Sequence, residues 1–200
     1  MKVLAFTDLH LSSSAFKKIK SKVKKYIPDL LVCAGDISIF EHGLDFVLKQ
    51  LNKLNKKTLI VHGNHETDSV LRKFCQKYPN LIFIHKKAYA SGNNIFLGYG
   101  GGGFSIIEPE FYKTGEFFSK IIKKSKSKKI IFVTHAPPYG TKLDLIVTSH
   151  CGNKTFRHFI AKNKVDLCIC GHLHENFGKE DRIKKTRVIN PGPYGKIIEI

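Results

Sequence analysis

The chain has little of what membrane-bound, secreted or disulfide-linked proteins need. It has no tryptophan, one methionine and five cysteines in 200 residues, and no apolar run approaches the roughly 20 residues that span a membrane. An odd number of cysteines without a CxxC pair does not favour a disulfide framework, a zinc knuckle or a redox pair. A candidate functional residue already lies at position 8, so we expect no removable leader. These features predict an intracellular, cytoplasmic protein.

Acidic residues and arginine are also scarce. The chain has 34 basic and 16 acidic residues, a net charge of +18, and only four of the basic residues are arginine. Lysine is a point charge without the bidentate fork of arginine, so the excess favours diffuse attraction to polyanions over built phosphate clamps. In the segment 15–27, lysines fill the positions between apolar residues at helical spacing. We interpret this as a solvated helix face, with a nucleic-acid surface as the alternative.

No Pro/Ser-rich linker or break in composition divides the chain, so residues 1–200 are expected to form one domain. Apolar runs with strand character alternate with helical patterns, which indicates an α/β fold. The predicted helices lie near 15–27, 43–54, 67–77, 109–124 and 154–163. The predicted strands lie at 3–6, 30–34, 58–62, 81–85, 94–99, 129–134 and 166–170, with short strands ending at 195–200.

Five short clusters of metal-capable side chains each follow one of these apolar runs, in the segments TDLH, AGD, GNHE, THAPP and GHLH. In open α/β sheets the ligand crevice lies beyond the carboxyl ends of the strands, where these side chains can converge. One such cluster alone is weak evidence, but five in this order predict a metal site. The candidate ligands are Asp8, His10, Asp36, Asn64, His135, His172 and His174.

The ordered series DxH, GD, GNH[DE], H and GHxH, from residue 8 to 174, resembles the calcineurin-like metallophosphoesterase superfamily. The similarity points to its small, single-domain prokaryotic and archaeal phosphodiesterases. It implies a four-layer α/β/β/α sandwich of two mixed β-sheets flanked by helices. It also implies two divalent metal ions, chosen among Mn, Fe, Zn, Co and Ni, with Mn favoured.

The resemblance also assigns roles to residues. Asp36 would bridge the metals, and His65 would stay unligated, face the substrate and serve as the catalytic acid. One metal site would be completed by Asp8, His10 and His174. The other would be completed by Asn64, His135 and His172.

The implied activity is that of a dinuclear phosphohydrolase, most simply a phosphodiesterase for small or nucleotide phosphodiesters. A hydroxide bridging the metals would attack phosphorus. The alternatives are a nuclease acting on DNA or RNA, which the net charge favours, and a phosphomonoesterase; a metal-free binding scaffold fits least because every ligand position keeps a competent side chain. A protein phosphatase is disfavoured because the GDxxDRG pattern of that branch is missing after Gly35. A mononuclear amidohydrolase on a TIM barrel is also disfavoured, because that fold needs about 250 residues and the chain has 200.

Two further segments bear on the substrate. The stretches HAPPYGTKLD and HCGN are similar to those of small phosphodiesterases, and on that analogy Tyr139, His150, Asn153 and Arg157 are expected to line the substrate pocket. The run GYGGGG satisfies the GxGxxG pattern, but no acidic residue follows at the spacing of a dinucleotide site. We expect it to form a loop at the rim of the cleft.

Overall fold

A computed structural model describes residues 1–200, and its first half and last strand build one five-stranded sheet. The strands are β1 (Lys2–Phe6), β2 (Leu30–Cys33), β3 (Thr58–Ile60), β4 (Leu81–Phe83) and β13 (Lys196–Glu199). They run in the order β13-β1-β2-β3-β4, and all neighbours are parallel except β13 against β1. The helices that follow β1, β2 and β3 are α1 (Ser13–Tyr26), α2 (Leu44–Asn52) and α3 (Asp68–Cys75).

The second half builds a six-stranded mixed sheet. Its strands are β5 (Lys87–Ser91), β6 (Asn94–Tyr99), β7 (Lys129–Thr134), β10 (Leu167–Ile169), β11 (Glu180–Ile183) and β12 (Thr186–Ile189). They run in the order β11-β12-β10-β7-β6-β5. The helices of this half are α4 (Phe111–Lys124) and α5 (Lys154–Lys162). A separate hairpin pairs β8 (Leu145–Ile146) with β9 (Ser149–His150). None of the helices has the length and apolarity that a membrane crossing requires.

The two sheets pack face to face, and helices cover each outer face. Successive side chains of a strand point to opposite faces, so Val3 and Ala5 of β1 join the core between the sheets. Leu4 and Phe6 of the same strand join the core beneath α1, α2 and α3. A third core, rich in phenylalanine, lies between the second sheet and α4 and α5. The predicted four-layer α/β/β/α sandwich of two mixed sheets is therefore confirmed.

Most predicted elements match the structure to within a few residues. Strands β6 and β7 have the predicted bounds, and α1 begins two residues earlier than predicted because Ser12 caps it, its hydroxyl accepting from the Ala15 N–H at 3.2 Å. Strands β5, β8, β9, β11 and β12 were not predicted. Strand β11 has the sequence EDRI, whose charged residues lack the apolar alternation that predicts a strand.

The fold places the five sequence clusters at one edge. Strands β1, β2 and β3 are parallel neighbours in one sheet, and β7 and β10 are parallel neighbours in the other. Parallel strands end on the same side, so the segments that follow them meet above the sandwich.

Candidate metal centre

The first group of candidate ligands is Asp8, His10 and His174, whose ligand atoms all lie within 4.8 Å of one another. His10 Nε2 lies 3.3 Å from His174 Nε2 and 3.8 Å from Asp8 Oδ1. His174 Nε2 lies 3.6 Å from the same carboxylate oxygen. Residues that are more than 160 positions apart in sequence thus aim three ligand atoms at one point.

The second group is Asp36, His135 and His172, which meets the same distance criterion. His135 Nε2 lies 3.3 Å from Asp36 Oδ2 and 3.0 Å from Asn64 Oδ1. Asp36 Oδ2 also lies 3.7 Å from His10 Nε2 of the first group. Asp36 therefore stands between the two groups, where a carboxylate shared by two cations would lie.

Hydrogen bonds to carbonyl oxygens orient two of the imidazoles as ligands. Nδ1 of His135 lies 2.8 Å from Ala34 O, and Nδ1 of His10 lies 3.2 Å from Ser38 O. A carbonyl oxygen only accepts, so Nδ1 carries a proton in each ring, and in the neutral ring Nε2 then keeps a lone pair that faces the cluster. Partners of this kind fix the tautomer of metal-binding histidines.

The ring of His65 has the opposite arrangement. The Phe40 backbone N–H donates to His65 Nδ1 at 3.3 Å, so the proton of the neutral ring lies on Nε2. This Nε2 is 4.0 Å from Asp36 Oδ2, and the side chain is 21% exposed. His65 thus presents an N–H to the cluster, which suits a donor to substrate better than a ligand.

Backbone strain is concentrated in the candidate ligands. Four of them have a positive φ: 53° at Asp8, 40° at His10, 51° at Asp36 and 72° at His172. For residues with a Cβ this left-handed region is disfavoured, and each such residue costs on the order of 1–3 kcal/mol. Strain persists where surrounding contacts hold it, so the fold favours the convergence of these side chains over relaxed turns.

Two glycines make this convergence sterically possible. A Cβ added to Gly63 would stand 1.9 Å from Asp36 Oδ1, and one added to Gly171 would stand 2.0 Å from Thr7 Oγ1. The backbones of the GNHE and GHLH segments therefore pass directly against the residues that follow β2 and β1. Only glycine fits at these positions.

Glu66 is a buried residue to which the sequence pattern gave no role. Its carboxylate accepts from the backbone N–H groups of Asp36, Ser38 and Gly63 and from the Ser38 hydroxyl, at 2.7–3.2 Å. It therefore binds the loop after β2 to the loop after β3. The sequence signal for Glu66 is its place in the polar segment GNHE. That signal does not identify its partners, because they lie on two loops that meet only in the folded protein.

The electrostatics of the cluster fit a cation. Burial alone would raise the pKa of Asp36, but the hydrogen bond and positive charge of protonated His135 outweigh burial and hold this pKa well below its usual range. Burial lowers the pKa of His172 to about 4, which keeps the ring neutral at pH 7. His172 Nε2 is buried and has no hydrogen-bond partner. An orphaned lone pair of this kind is costly in a protein interior, and coordination to a metal ion would satisfy it.

The residues expected to line a substrate pocket lie together, but they do not all reach a cleft. Asn153 is fully buried; its Oδ1 caps α5 by accepting from the Phe156 N–H, and its Nδ2 donates to Ser105 O at 2.8 Å. Both polar atoms of Asn153 thus serve the fold, and its contact with a substrate stays a prediction. Arg157 is half-buried and donates to the carbonyls of Tyr139 and Gly140, so it holds that turn.

Tyr139 and His150 remain candidates for contact with a substrate. Their ring centroids are 5.5 Å apart, and His150 Nδ1 lies 3.0 Å from Oδ1 of the buried Asp144. The loop that carries them is joined to the 3-10 turn His174–Asn176, because the buried Asn176 donates to Leu143 O and Leu145 O. This loop therefore borders the first ligand group.

The glycine run lies beside the cluster as a loop. Gly101, Gly102 and Gly103 all have positive φ, and α4 begins only at Phe111, so the run does not open a helix as a dinucleotide site requires. A Cβ on Gly103 would lie 3.5 Å from Asn64 Cβ. Phe104 packs on His172, with ring centroids 4.4 Å apart.

A two-sheet sandwich with an aspartate between two histidine-rich groups is the arrangement of a metal-dependent hydrolase. The calcineurin-like phosphoesterase family matches residues 1–176 of the chain, and the chain belongs to that family. It is 33% identical over 204 residues to the uncharacterized protein MJ1162 of Methanocaldococcus jannaschii, covering 96% of this chain and 88% of that protein.

Solved structures share the fold at low sequence identity. The protein TT1561 of Thermus thermophilus superposes with a TM-score of 0.76 at 17% identity, covering 96% of this chain and 89% of that one. A dimetal phosphatase from Danio rerio superposes with a TM-score of 0.70 at 12% identity, covering 94% of this chain and 86% of that one. A novel archaeal phosphodiesterase superposes with a TM-score of 0.58 at 16% identity, covering 96% of this chain and 84% of that one. The family and the fold predicted from the motif series are thereby confirmed.

Proposed function

We propose that this metallophosphoesterase is a dinuclear phosphodiesterase that acts on small or nucleotide phosphodiesters. The observation that carries the proposal is the position of Asp36, whose Oδ2 lies 3.7 Å from His10 Nε2 on one side and 3.3 Å from His135 Nε2 on the other. A structure similar in fold is described as an archaeal phosphodiesterase, which supports the choice of a diester.

The chain offers two ligand sets that share Asp36. When bound, two divalent cations supply Lewis acidity: they activate water as a nucleophile and withdraw charge from the phosphate. Mixed oxygen and nitrogen donors suit Mn, Fe, Zn, Co or Ni, and Mn²⁺ is our first choice. One set is Asp8, His10 and His174. The other is Asn64, His135 and His172.

His65 is the residue of the chain that handles the leaving group. Its Nε2 proton points to the cluster, and its partly exposed side chain can reach a phosphate oxygen there. An N–H donor at this position neutralises charge that builds on an ester oxygen, and in its imidazolium form the ring can pass that oxygen a proton and return to the neutral state. Tyr139 and His150 stand at the border of the same cleft and are proposed to contact the remainder of the substrate.

A nuclease is the second candidate, and the net charge of +18 favours it. On α1, Lys17, Lys18, Lys20, Lys24 and Lys25 lie on exposed positions. A basic face of this kind attracts nucleic acid without reading its sequence. The compartment we propose is the cytoplasm, whose reducing conditions suit the five free cysteines.

The test is to strip the protein of metal, restore single metals, and compare four substrates: a bis-aryl phosphodiester, an aryl phosphomonoester, 2′,3′-cyclic nucleotides and single-stranded DNA. We expect metal-dependent turnover that is highest on the diesters. If DNA is cleaved faster than the small diesters are hydrolysed, and if that cleavage slows steeply as salt is added, the protein is a nuclease instead. Absence of turnover with every metal and substrate would refute both candidates.

A further inference from the structure

Two phenyl rings stand in solvent directly beside the metal centre. Phe40 is 69% exposed and Phe104 is 65% exposed. Phe40 packs on His65 with ring centroids 4.3 Å apart, and Phe104 packs on His172 at 4.4 Å. Exposed apolar rings contribute little to folding, because most of their surface stays in water. Their position therefore calls for another explanation.

Backbone geometry holds the Phe40 ring in place. Its φ is 49°, a left-handed value that is an outlier for a bulky residue. The Phe40 N–H donates to His65 Nδ1, and the Glu41 N–H donates to His65 O at 3.0 Å. Strain of this kind recurs at ligand clamps, where surrounding contacts hold it.

The Phe104 ring is carried by the glycine loop, residues 100–103. It follows three glycines in left-handed conformation, of which Gly103 lies against Asn64. The Ser105 N–H donates to Gly102 O at 2.6 Å and closes a tight turn around it. The two rings thus reach the cluster from separate loops: Phe40 contacts His65, which is not among the candidate ligands, and Phe104 contacts the candidate ligand His172.

Other exposed phenylalanines provide an internal comparison. Phe46 is 65% exposed and Phe117 is 48% exposed. Neither packs on an imidazole, since Phe117 stacks only on its neighbour Phe118 and Phe46 on no ring. Exposure alone therefore does not single out Phe40 and Phe104, but exposure together with contact to the cluster does.

We infer that Phe40 and Phe104 bind a planar aromatic group of the substrate, a nucleobase or an aryl ring next to the scissile phosphate. The inference rests on the proposed function and narrows its substrate class. Stacking on an aromatic side chain tolerates any base, because every base has a π-face. The lysine-rich surface attracts any anion, so it does not distinguish aromatic from aliphatic esters.

A binding experiment exploits the absence of tryptophan from the chain. In Phe104→Trp the new indole is the only one, and its emission reports stacking. With diamagnetic Zn²⁺ present, we expect adenosine monophosphate to quench it saturably and ribose 5-phosphate, which lacks the base, to leave it unchanged. Phe117→Trp is the matched control and is expected to respond to neither.

Adding Phe40→Leu to Phe104→Trp should weaken adenosine monophosphate binding about 10-fold, the effect of losing one stacking partner. Equal responses to the two ligands, or no effect of Phe40→Leu, would overturn the inference.

A kinetic experiment separates this inference from the proposed function. Three diesters share a p-nitrophenolate leaving group and carry thymidine, phenyl or methyl on the other oxygen. We expect Phe40→Leu and Phe104→Leu to lower kcat/KM for the thymidine and phenyl diesters about 10-fold more than for the methyl diester, as lost stacking predicts. Phe117→Leu is expected to match the wild type.

The outcomes of this experiment are distinct. An equal loss of kcat/KM on all three diesters would mean that the rings only position the imidazoles. Equal wild-type values of kcat/KM on all three would mean that the enzyme has no preference for an aromatic group. Either result overturns the inference but leaves the proposed phosphodiesterase activity in place. A preference for thymidine over phenyl identifies a nucleobase as the natural group. Loss of an oligomer in Phe40→Leu, seen by sedimentation, would assign the rings to a contact between copies. No hydrolysis of any diester with any metal refutes the proposed function itself.

Discussion

The two halves of the candidate metal centre differ in how far solvent reaches them. In the half formed with His135, that side chain is fully buried, and His172 is 9% exposed. In the half formed with Asp8, the side chains of His10 and His174 are 20% and 55% exposed. We call these the buried half and the open half.

We expect the two halves to differ in how tightly they hold a metal ion. A carbonyl oxygen fixes one ring in each half, since His135 donates to Ala34 O in the buried half and His10 donates to Ser38 O in the open half. In the open half, His174 sits on a short 3-10 turn at the surface. Ligands locked by packing and hydrogen bonds bind a metal with less reorganisation. We therefore expect the buried half to retain its metal and the open half to exchange it.

Asp36→Asn should have the largest effect, because Asp36 is the residue that both halves share. The substitution removes the shared negative charge, and we expect kcat/KM to fall by more than about 10³-fold, beyond the loss of a single transition-state donor. Metal content, measured by atomic absorption, should fall in the same variant. If Asp36→Asn kept both metals and most of its activity, the shared role would be wrong.

His65→Ala tests a side chain that faces the cluster without serving as a ligand. We expect kcat/KM to fall by about 10²-fold, the usual effect of losing a general acid. Metal content should stay at the wild-type level, because Nε2 of His65 carries the proton and offers no lone pair. Loss of a metal equivalent in His65→Ala would show that His65 is a ligand and would contradict the ligand set given for the open half.

Glu66→Gln tests the carboxylate that joins the loops behind both halves. A glutamine amide would turn an N–H₂ group toward buried N–H donors, so we expect a loss of about 2 kcal/mol in the free energy of unfolding. Glu41→Gln is the matched control, since Glu41 accepts two hydrogen bonds from Thr67 in an exposed setting. We expect less than about 0.5 kcal/mol there. Equal losses in denaturant titrations of the two variants would contradict the buried role of Glu66.

Metal release should show the smallest effect and the most direct contrast between the halves. When excess chelator is added to the loaded protein, we expect two phases that differ by about tenfold or more, the change that ~1.4 kcal/mol of extra barrier produces. His174→Ala should lose the fast phase and keep the slow one. A single phase, or loss of the slow phase in His174→Ala, would mean that burial does not control retention.

The patterns of the sequence were sufficient to predict an α/β fold and the meeting of the candidate ligands, while the four layers were implied by the family resemblance. Apolar runs of strand length predict the strands, and clusters behind parallel strands must share one edge. The left-handed backbone at Asp8 and Asp36 could not be predicted, because contacts between distant loops impose it. The same holds for Glu66, whose partners lie on two loops, and for Asn153, whose burial depends on contact with the glycine loop.

We propose that one carboxylate, Asp36, joins two metal ions. Electron paramagnetic resonance of the protein loaded with Mn²⁺ tests it most directly, because two Mn²⁺ ions that share a bridging ligand are magnetically coupled. We predict two equivalents per chain and a coupled signal that disappears in Asp36→Asn and persists in His65→Ala. One equivalent per chain, or two uncoupled ions in the wild type, would contradict the claim.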